Sequence, residues 1–184
     1  KDYKKLSYFS VKEPIFPFKK FQNVDVLRGP EMKSTGEVMG IDKKFLTAFA
    51  KGQLAAGINL PKKGKVFLSV KNKDKKELIP IAKKLLKLGF NLIGTEGTTN
   101  YLNDKKIKID RINKISEGSP HVVDLIKNNQ VCLVINTTEG KKSMGDGYIM
   151  RRNTLLSNTP YYTTIKGAKV AIDAIDALNN TNLK

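Results

Sequence analysis

Four places along this chain set lysines and small polar residues beside short apolar runs. Lys71 and Lys75 follow "KVFLSV", and Thr95, Gly97, Thr98 and Thr99 follow "FNLIG". Asn113 and Lys114 stand at the end of "KIKIDRIN", and Asn136, Thr137 and Thr138 at the end of "QVCLVIN". These residue types suit an anion of the phosphate kind. Glycine lets the backbone come close, threonine hydroxyls and free N–H groups donate hydrogen bonds, and lysines neutralise charge. Hydrogen bonds to a charged group contribute roughly 1.5–3 kcal/mol each, so a handful gives micromolar binding after the costs of association. Taken alone, "GTEGTT" reads as an ordinary strand-to-helix turn with threonine N-caps. The anion reading rests on having Lys75, Lys114 and Asn136 to Thr138 beside it.

Other chemistries find less support. There is no Gly-rich loop ending in Lys-Ser/Thr, and "GTEGTT" lacks the dinucleotide-binding glycine spacing. No metal-ligand cluster stands out. The single histidine, His121, reads as a solvent-facing residue or a helix cap. Glu117 and Asp124 flank it without acid–base spacing, and Asp173 and Asp176, one helical turn apart, read as a solvated helix face.

These residues need elements to position them. From Lys65 the pattern is regular: "KVFLSV" as a buried strand, "DKKELIPIAKKLLKLG" as an amphipathic helix, and "FNLIG" as a second strand. This is a βαβ unit, which makes adjacent parallel strands. Pro80 falls inside that helix and predicts a kink or a lost hydrogen bond. The alternation continues with "KIKIDRIN" (strand), "SPHVVDLIKNN" (helix), "QVCLVIN" (strand), "YIMRRNTLLSN" (helix), "PYYTTI" (short strand) and "GAKVAIDAIDALNN" (helix). The predicted fold class is therefore α/β, an open parallel-sheet sandwich, with ligands expected beyond the C-terminal ends of its strands. Residues 1–58 differ: they hold short β-like pieces and one helical stretch, "IDKKFLTAFAKGQLAAG". "INLPKKGK" then reads as a linker to a second unit, 59–184.

Composition sets the outer bounds. At 184 residues, 40% hydrophobic and 28% charged, the chain has room for one good core. It has no apolar run approaching the ~20 residues of a membrane span. Its beginning lacks a signal-like apolar core, which predicts a cytoplasmic protein. The one cysteine, Cys132, lies in an apolar strand and reads as a reduced core residue. The net charge of +17 raises the question of nucleic acid. However, only Arg28, Arg111, Arg151 and Arg152 are arginines, and no aromatic-interleaved basic stripe appears.

Four motifs in order carry a resemblance. "GPEMKSTGEVMG", "LLKLGFNLIGTEGTTNYL", "INKISEGSPHVVDLIKN" and "LVINTTEG" together resemble the C-terminal portion of the large subunit of carbamoyl-phosphate synthetase, from about Tyr8 to Leu178. The resemblance implies that residues 1–58 are the tail of the second ATP-grasp unit. It also implies that residues 59–184 are a methylglyoxal-synthase-like allosteric domain that binds a nucleotide monophosphate such as UMP or IMP. The effector phosphate would meet Lys75, Thr95, Thr98 and Lys114. Asn136 and Thr138 would lie on the ribose side and Asp146 towards the base. Glu13, Tyr161 and Thr163 match the ornithine pocket of members that use ornithine, and Glu37 matches a carboxylate of the carbamate tunnel. Gly145 and Gly147 stand where larger polar residues are common, which implies a different base end of the pocket.

On this resemblance the fragment is not itself catalytic and carries no cofactor. The whole enzyme is a glutamine-hydrolysing, ATP-dependent ligase that uses ATP with Mg or Mn and K. It serves arginine and pyrimidine biosynthesis, and it pairs with a small glutaminase subunit. Two other readings compete: a free methylglyoxal-synthase-like lyase acting on dihydroxyacetone phosphate, and a basic nucleic-acid-binding module. The lyase requires a catalytic aspartate where this chain reads Gly118, Ser119, Pro120, His121.

Overall fold

The computed structural model describes residues 6–15, 36–137 and 141–179, with the backbone alone at 141–144. An antiparallel hairpin, β1 (Phe9–Ile15) with β2 (Gly36–Asp42), precedes helix α1 (Phe45–Ala55). There follow β3 (Lys65–Val70), α2 (Lys75–Lys87), β4 (Asn91–Gly94), α3 (Glu96–Asp104), β5 (Asp110–Arg111), α4 (Val122–Lys127), β6 (Val131–Thr137), α5 (Lys141–Leu156), β7 (Tyr161–Tyr162) and α6 (Ile165–Asn179).

The strands β3 to β7 form one parallel five-stranded sheet in the order β5-β4-β3-β6-β7. Period-two alternation sorts its side chains to two faces. Val66, Leu68 and Val70 of β3 join Leu133 and Ile135 of β6 under α2, α3 and α6, whereas Phe67 and Val134 pack with Val122, Val123 and Ile126 of α4 and Met150 of α5. The result is the expected α/β sandwich with helices on both faces. Strand β6 is nearly all buried, as a central parallel strand must be. Helix α2 lays Leu78, Ile81, Ala82 and Leu85 on the sheet, the spacing of one helical face.

Three expectations change in detail. Only Asp110–Arg111 of "KIKIDRIN" pairs as a strand. Lys106 takes a left-handed turn at φ 58°, and Ile107 N–H donates to Leu102 O at 3.0 Å, so the segment's start is tied to the end of α3. Ile107 and Ile109 are both buried, which produced the alternation without the ladder. Pro80 leaves α2 unbroken to Lys87; Pro80 and Lys76, the residue whose carbonyl its missing N–H would have met, are both exposed. The α5 helix also begins well before "YIMRRNTLLSN", and so takes in Gly145, Asp146 and Gly147.

Candidate anion site at the strand ends

The chain runs from β3 outwards to β4 and β5, then returns to the other side of β3 for β6 and β7. The C-terminal ends of β3 and β6 therefore diverge, the place where open α/β sheets take ligands. Just past β3, Lys71 N–H donates to the carbonyl and to the hydroxyl of Thr137, at 3.2 and 3.3 Å.

Helix α3 starts on this rim. Gly94 precedes it because a Cβ there would meet Leu68 O at 2.8 Å and Ile109 Cδ1 at 2.9 Å; only glycine lets α3 leave the sheet so closely. Thr95 is the N-cap residue, but its hydroxyl does not cap: it donates to Ser69 Oγ at 3.2 Å. The carbonyl of Thr95 accepts from Thr98 and Thr99, both at 2.9 Å, which leaves the amides of Glu96 and Gly97 ahead of the intrahelical ladder. Thr98 is buried, and its Oγ1 accepts from Val70 N–H at 3.1 Å, so its proton stays available to a further acceptor. The helix thus presents an uncapped, positive N-terminal end.

Lys75, Lys114 and Arg111 are the cations to consider here. The Lys75 ammonium lies 5.5 Å from the centre of the Tyr101 ring and 3.8 Å from where a Cβ on Gly97 would be. Lys114 is exposed, and its backbone N–H donates to the Glu117 carboxylate at 3.0 Å. Arg111, which sequence reading left unassigned, pairs with Glu96 at 3.1 Å and approaches Glu117 at 3.9 Å, so it offsets both carboxylates.

On the β6 side, Asn136 is 1% exposed. Its Nδ2 donates to the Tyr161 hydroxyl at 2.7 Å, and its Oδ1 has no hydrogen-bond partner among the described residues. Burial raises the Tyr161 phenol above its ordinary value. Thr138 lies outside the described residues. Asp146 is half-buried on α5, and Thr163 is exposed between β7 and α6.

Glu13 reaches this end of the sheet through a residue that sequence reading missed. Gln53 of α1, 5% exposed, donates to Glu13 Oε1 at 2.7 Å and accepts from the Tyr162 hydroxyl at 3.4 Å. Burial, with the Glu13 charge added, raises the Tyr162 phenol strongly. Glu13 is therefore linked to Tyr162, the neighbour of the expected Tyr161. Glu37 is exposed on β2 and pairs with Lys12 at 2.7 Å. Glu117 and Asp124 both have structural tasks. Asp124 accepts from His121 N–H at 3.0 Å and from the Ser119 hydroxyl at 2.7 Å, while His121 Nδ1 accepts from Asp124 N–H at 3.4 Å as the cap of α4. Among the described residues no group of carboxylates, histidines or cysteines could hold a metal, and no helix is long and apolar enough to cross a membrane.

Residues 77–163 match the model of the MGS-like domain. The carbamoyl phosphate synthase large chain of Mesorhizobium japonicum is 48% identical over 96% of this chain, which spans 15% of that protein's length. That of Methanobrevibacter smithii is 49% identical over 97% of this chain and 17% of its own. A separate "C-terminal section" of the large chain in Aquifex aeolicus is 47% identical over 95% of this chain and 33% of its own length. A methylglyoxal synthase structure from Elizabethkingia anophelis NUHP1 aligns with TM-score 0.48 at 20% identity, covering 61% of this chain and 79% of that one. Residues 77–163 are thus similar to the MGS-like domain, and along nearly its whole length the chain is similar to the C-terminal part of the carbamoyl phosphate synthase large chain.

Proposed function

We propose that this chain is the regulatory C-terminal portion of a carbamoyl phosphate synthase large chain, and that its strand-end rim binds the phosphate of a nucleotide monophosphate of the UMP or IMP kind. The observation that carries the reading is the N-terminus of α3, uncapped because the Thr95 hydroxyl turns to Ser69, with the Lys75 ammonium beside it. A phosphate seated there accepts from the Glu96 and Gly97 amides and from Thr98, draws the Thr95 hydroxyl away from Ser69, and meets Lys75 and Lys114. The ribose lies towards Asn136 and Thr138, whose side offers a buried acceptor in need of a donor, and the base towards Asp146. Glu13, Tyr161 and Thr163 are the candidate ornithine contacts, and Glu37 the candidate tunnel carboxylate.

In this reading residues 1–58 complete an upstream ATP-grasp unit that binds ATP, Mg or Mn, and K. The whole cytoplasmic enzyme works with a small glutaminase subunit, and effector binding shifts a conformational equilibrium of the synthetase unit. Allosteric coupling of this kind is typically ~1–3 kcal/mol, which makes the effect a modulation of rate or ATP affinity.

Calorimetric titration of the chain with UMP, IMP and a short oligonucleotide tests the reading. Saturation at one equivalent of a mononucleotide, with a preference between bases, supports it. Binding of the oligonucleotide alone, with steep salt dependence, would transfer the assignment to nucleic acid. A lyase reading is disfavoured by the site itself. The carboxylate hydrogen-bonded to the Gly118–His121 turn, Asp124, is held below its ordinary pKa by the His121 N–H and the Ser119 hydroxyl, and so makes a weak base. Turnover of dihydroxyacetone phosphate above background would reverse that judgement.

A further inference from the structure

We propose that Tyr101 is a positioning residue for Lys75, and that its ring sets the affinity of the α3 end for a phosphate group. The proposal rests on the phosphate reading above. Gly97 and Tyr101 are four residues apart on α3 and so share one face of that helix. The Lys75 ammonium reaches this face from the start of α2, lying 5.5 Å from the ring centre and close over Gly97, one turn nearer the uncapped end. Tyr101 is partly buried and packs against the core under α2 and α3, so its ring is a fixed floor. Among the described residues Lys75 has no carboxylate partner; the ring face is the group that holds it.

The choice of partner matters for an anion site. A carboxylate would hold the ammonium equally well but would cancel its charge and compete with phosphate for it. An aromatic face attracts the cation through its quadrupole and leaves the full charge to the ligand. It also limits the conformers of a four-carbon stem that would otherwise have to be ordered when the anion arrives. Nothing in "GTEGTTNYL" announces this role, because it depends on α2 bringing Lys75 over the ring.

The test compares Tyr101→Leu, which keeps apolar bulk and removes the π face, with Tyr101→Phe, which keeps the face and removes the hydroxyl. UMP and inorganic phosphate are titrated by calorimetry at low salt, and urea unfolding is followed for each variant. Tyr101→Leu is expected to weaken UMP about two- to fivefold, the size of a partly exposed cation–π contact. Tyr101→Phe should bind like wild type, and in a Lys75→Met background Tyr101→Leu should have no further effect on UMP, an outcome that a purely structural role would not produce. Independently of any ligand, NMR of the unliganded wild type should show the Lys75 Hε protons shifted upfield by the ring, so the proposal remains testable if Tyr101→Leu fails to fold. Unaltered UMP binding in Tyr101→Leu, equal losses in Leu and Phe, or unshifted Hε protons would each overturn it. Wild-type protein that binds neither UMP nor phosphate would overturn the phosphate reading and this inference together, whereas normal wild-type binding with an indifferent Tyr101→Leu removes the inference alone.

Discussion

Thr95 and Thr98 look alike in sequence and differ in situation. Thr98 Oγ1 accepts from Val70 N–H inside the protein, so Thr98→Val leaves a buried amide without a partner. The expected cost is about 1–3 kcal/mol in urea unfolding. The hydroxyl of half-exposed Thr95 meets only that of Ser69, and Thr95→Val should cost well under half as much. A loss of UMP binding in Thr98→Val must therefore be judged against its loss of stability, whereas one in Thr95→Val reads directly as a lost ligand contact. The lysines give the cleanest test: Lys114 is exposed and holds Glu117 through its backbone N–H, so Lys114→Ala should lower UMP affinity roughly tenfold or more by calorimetry, with the midpoint of unfolding little changed. Composition pointed to these residues because glycine, threonine and lysine after apolar runs have few other uses together. It did not reveal Gln53, Ser69, Tyr101 or Arg111, whose roles depend on which element faces which. A glutamine in "AKGQLAAG" carries no signal of its own until α1 is laid beside β7.

Between elements, α2 and α6 are joined by an ionic clamp. Lys84 of α2 sits between Asp173 and Asp176 of α6, at 2.8 Å from each, and Lys169 also reaches Asp173 at 2.8 Å. The two aspartates, which read as a solvated face, are spaced to grip one cation. Burial alone would lower the Lys84 pKa, but the two carboxylates outweigh it and raise the ammonium above its ordinary 10.5. Burial alone would raise Asp173, but Lys169 and Lys84 outweigh it and bring it below 3.8. The Asp173 contribution is thus present above pH 3.8 and lost as pH falls through its lower folded value. That of Lys84 is present below pH 10.5 and lost as pH rises through its raised folded value. The stability difference between wild type and Lys84→Met, from urea unfolding across pH, should form a plateau between these limits and shrink beyond both. A second link, Gln53, joins α1 to Glu13 and Tyr162. Gln53→Leu leaves those groups half-buried without it and should speed amide hydrogen exchange in β1–β2. The order of helices and strands was legible in the periodicity. The near absence of β5 as a strand was not, because buried Ile107 and Ile109 alternate as strand residues do while Lys106 turns the chain away.

At the scale of the molecule, the hairpin and α1 fit one another through glycine. A Cβ on Gly40 would overlap the Ala48 carbonyl oxygen and the Gly52 amide of α1. Gly40→Ala should therefore separate the hairpin from α1, at a cost of about several kcal/mol to that region, seen as protease sensitivity in β1, β2 and α1 while β3–α6 stays protected. Helix α1 packs in turn on α6, so the N-terminal stretch, in sequence a patchwork without a period, is attached to the sandwich by contacts that no local pattern could disclose. The +17 charge acts on the whole surface: it should speed encounter with any mononucleotide at low salt and fade as salt rises, while the stoichiometry of a pocket stays fixed.

Cys132 opens β6 at the end of the sheet away from the rim. Its thiol, against Lys65 O at 3.2 Å, is pushed by burial up to about 11. At neutral pH it therefore stays almost wholly in the thiol form, which alkylating reagents attack far more slowly than the thiolate. The native thiol should consequently react slowly with maleimides. A cysteine placed at an exposed rim position, such as Ser116 or Asn100, could carry a fluorophore or spin label without first removing the native one.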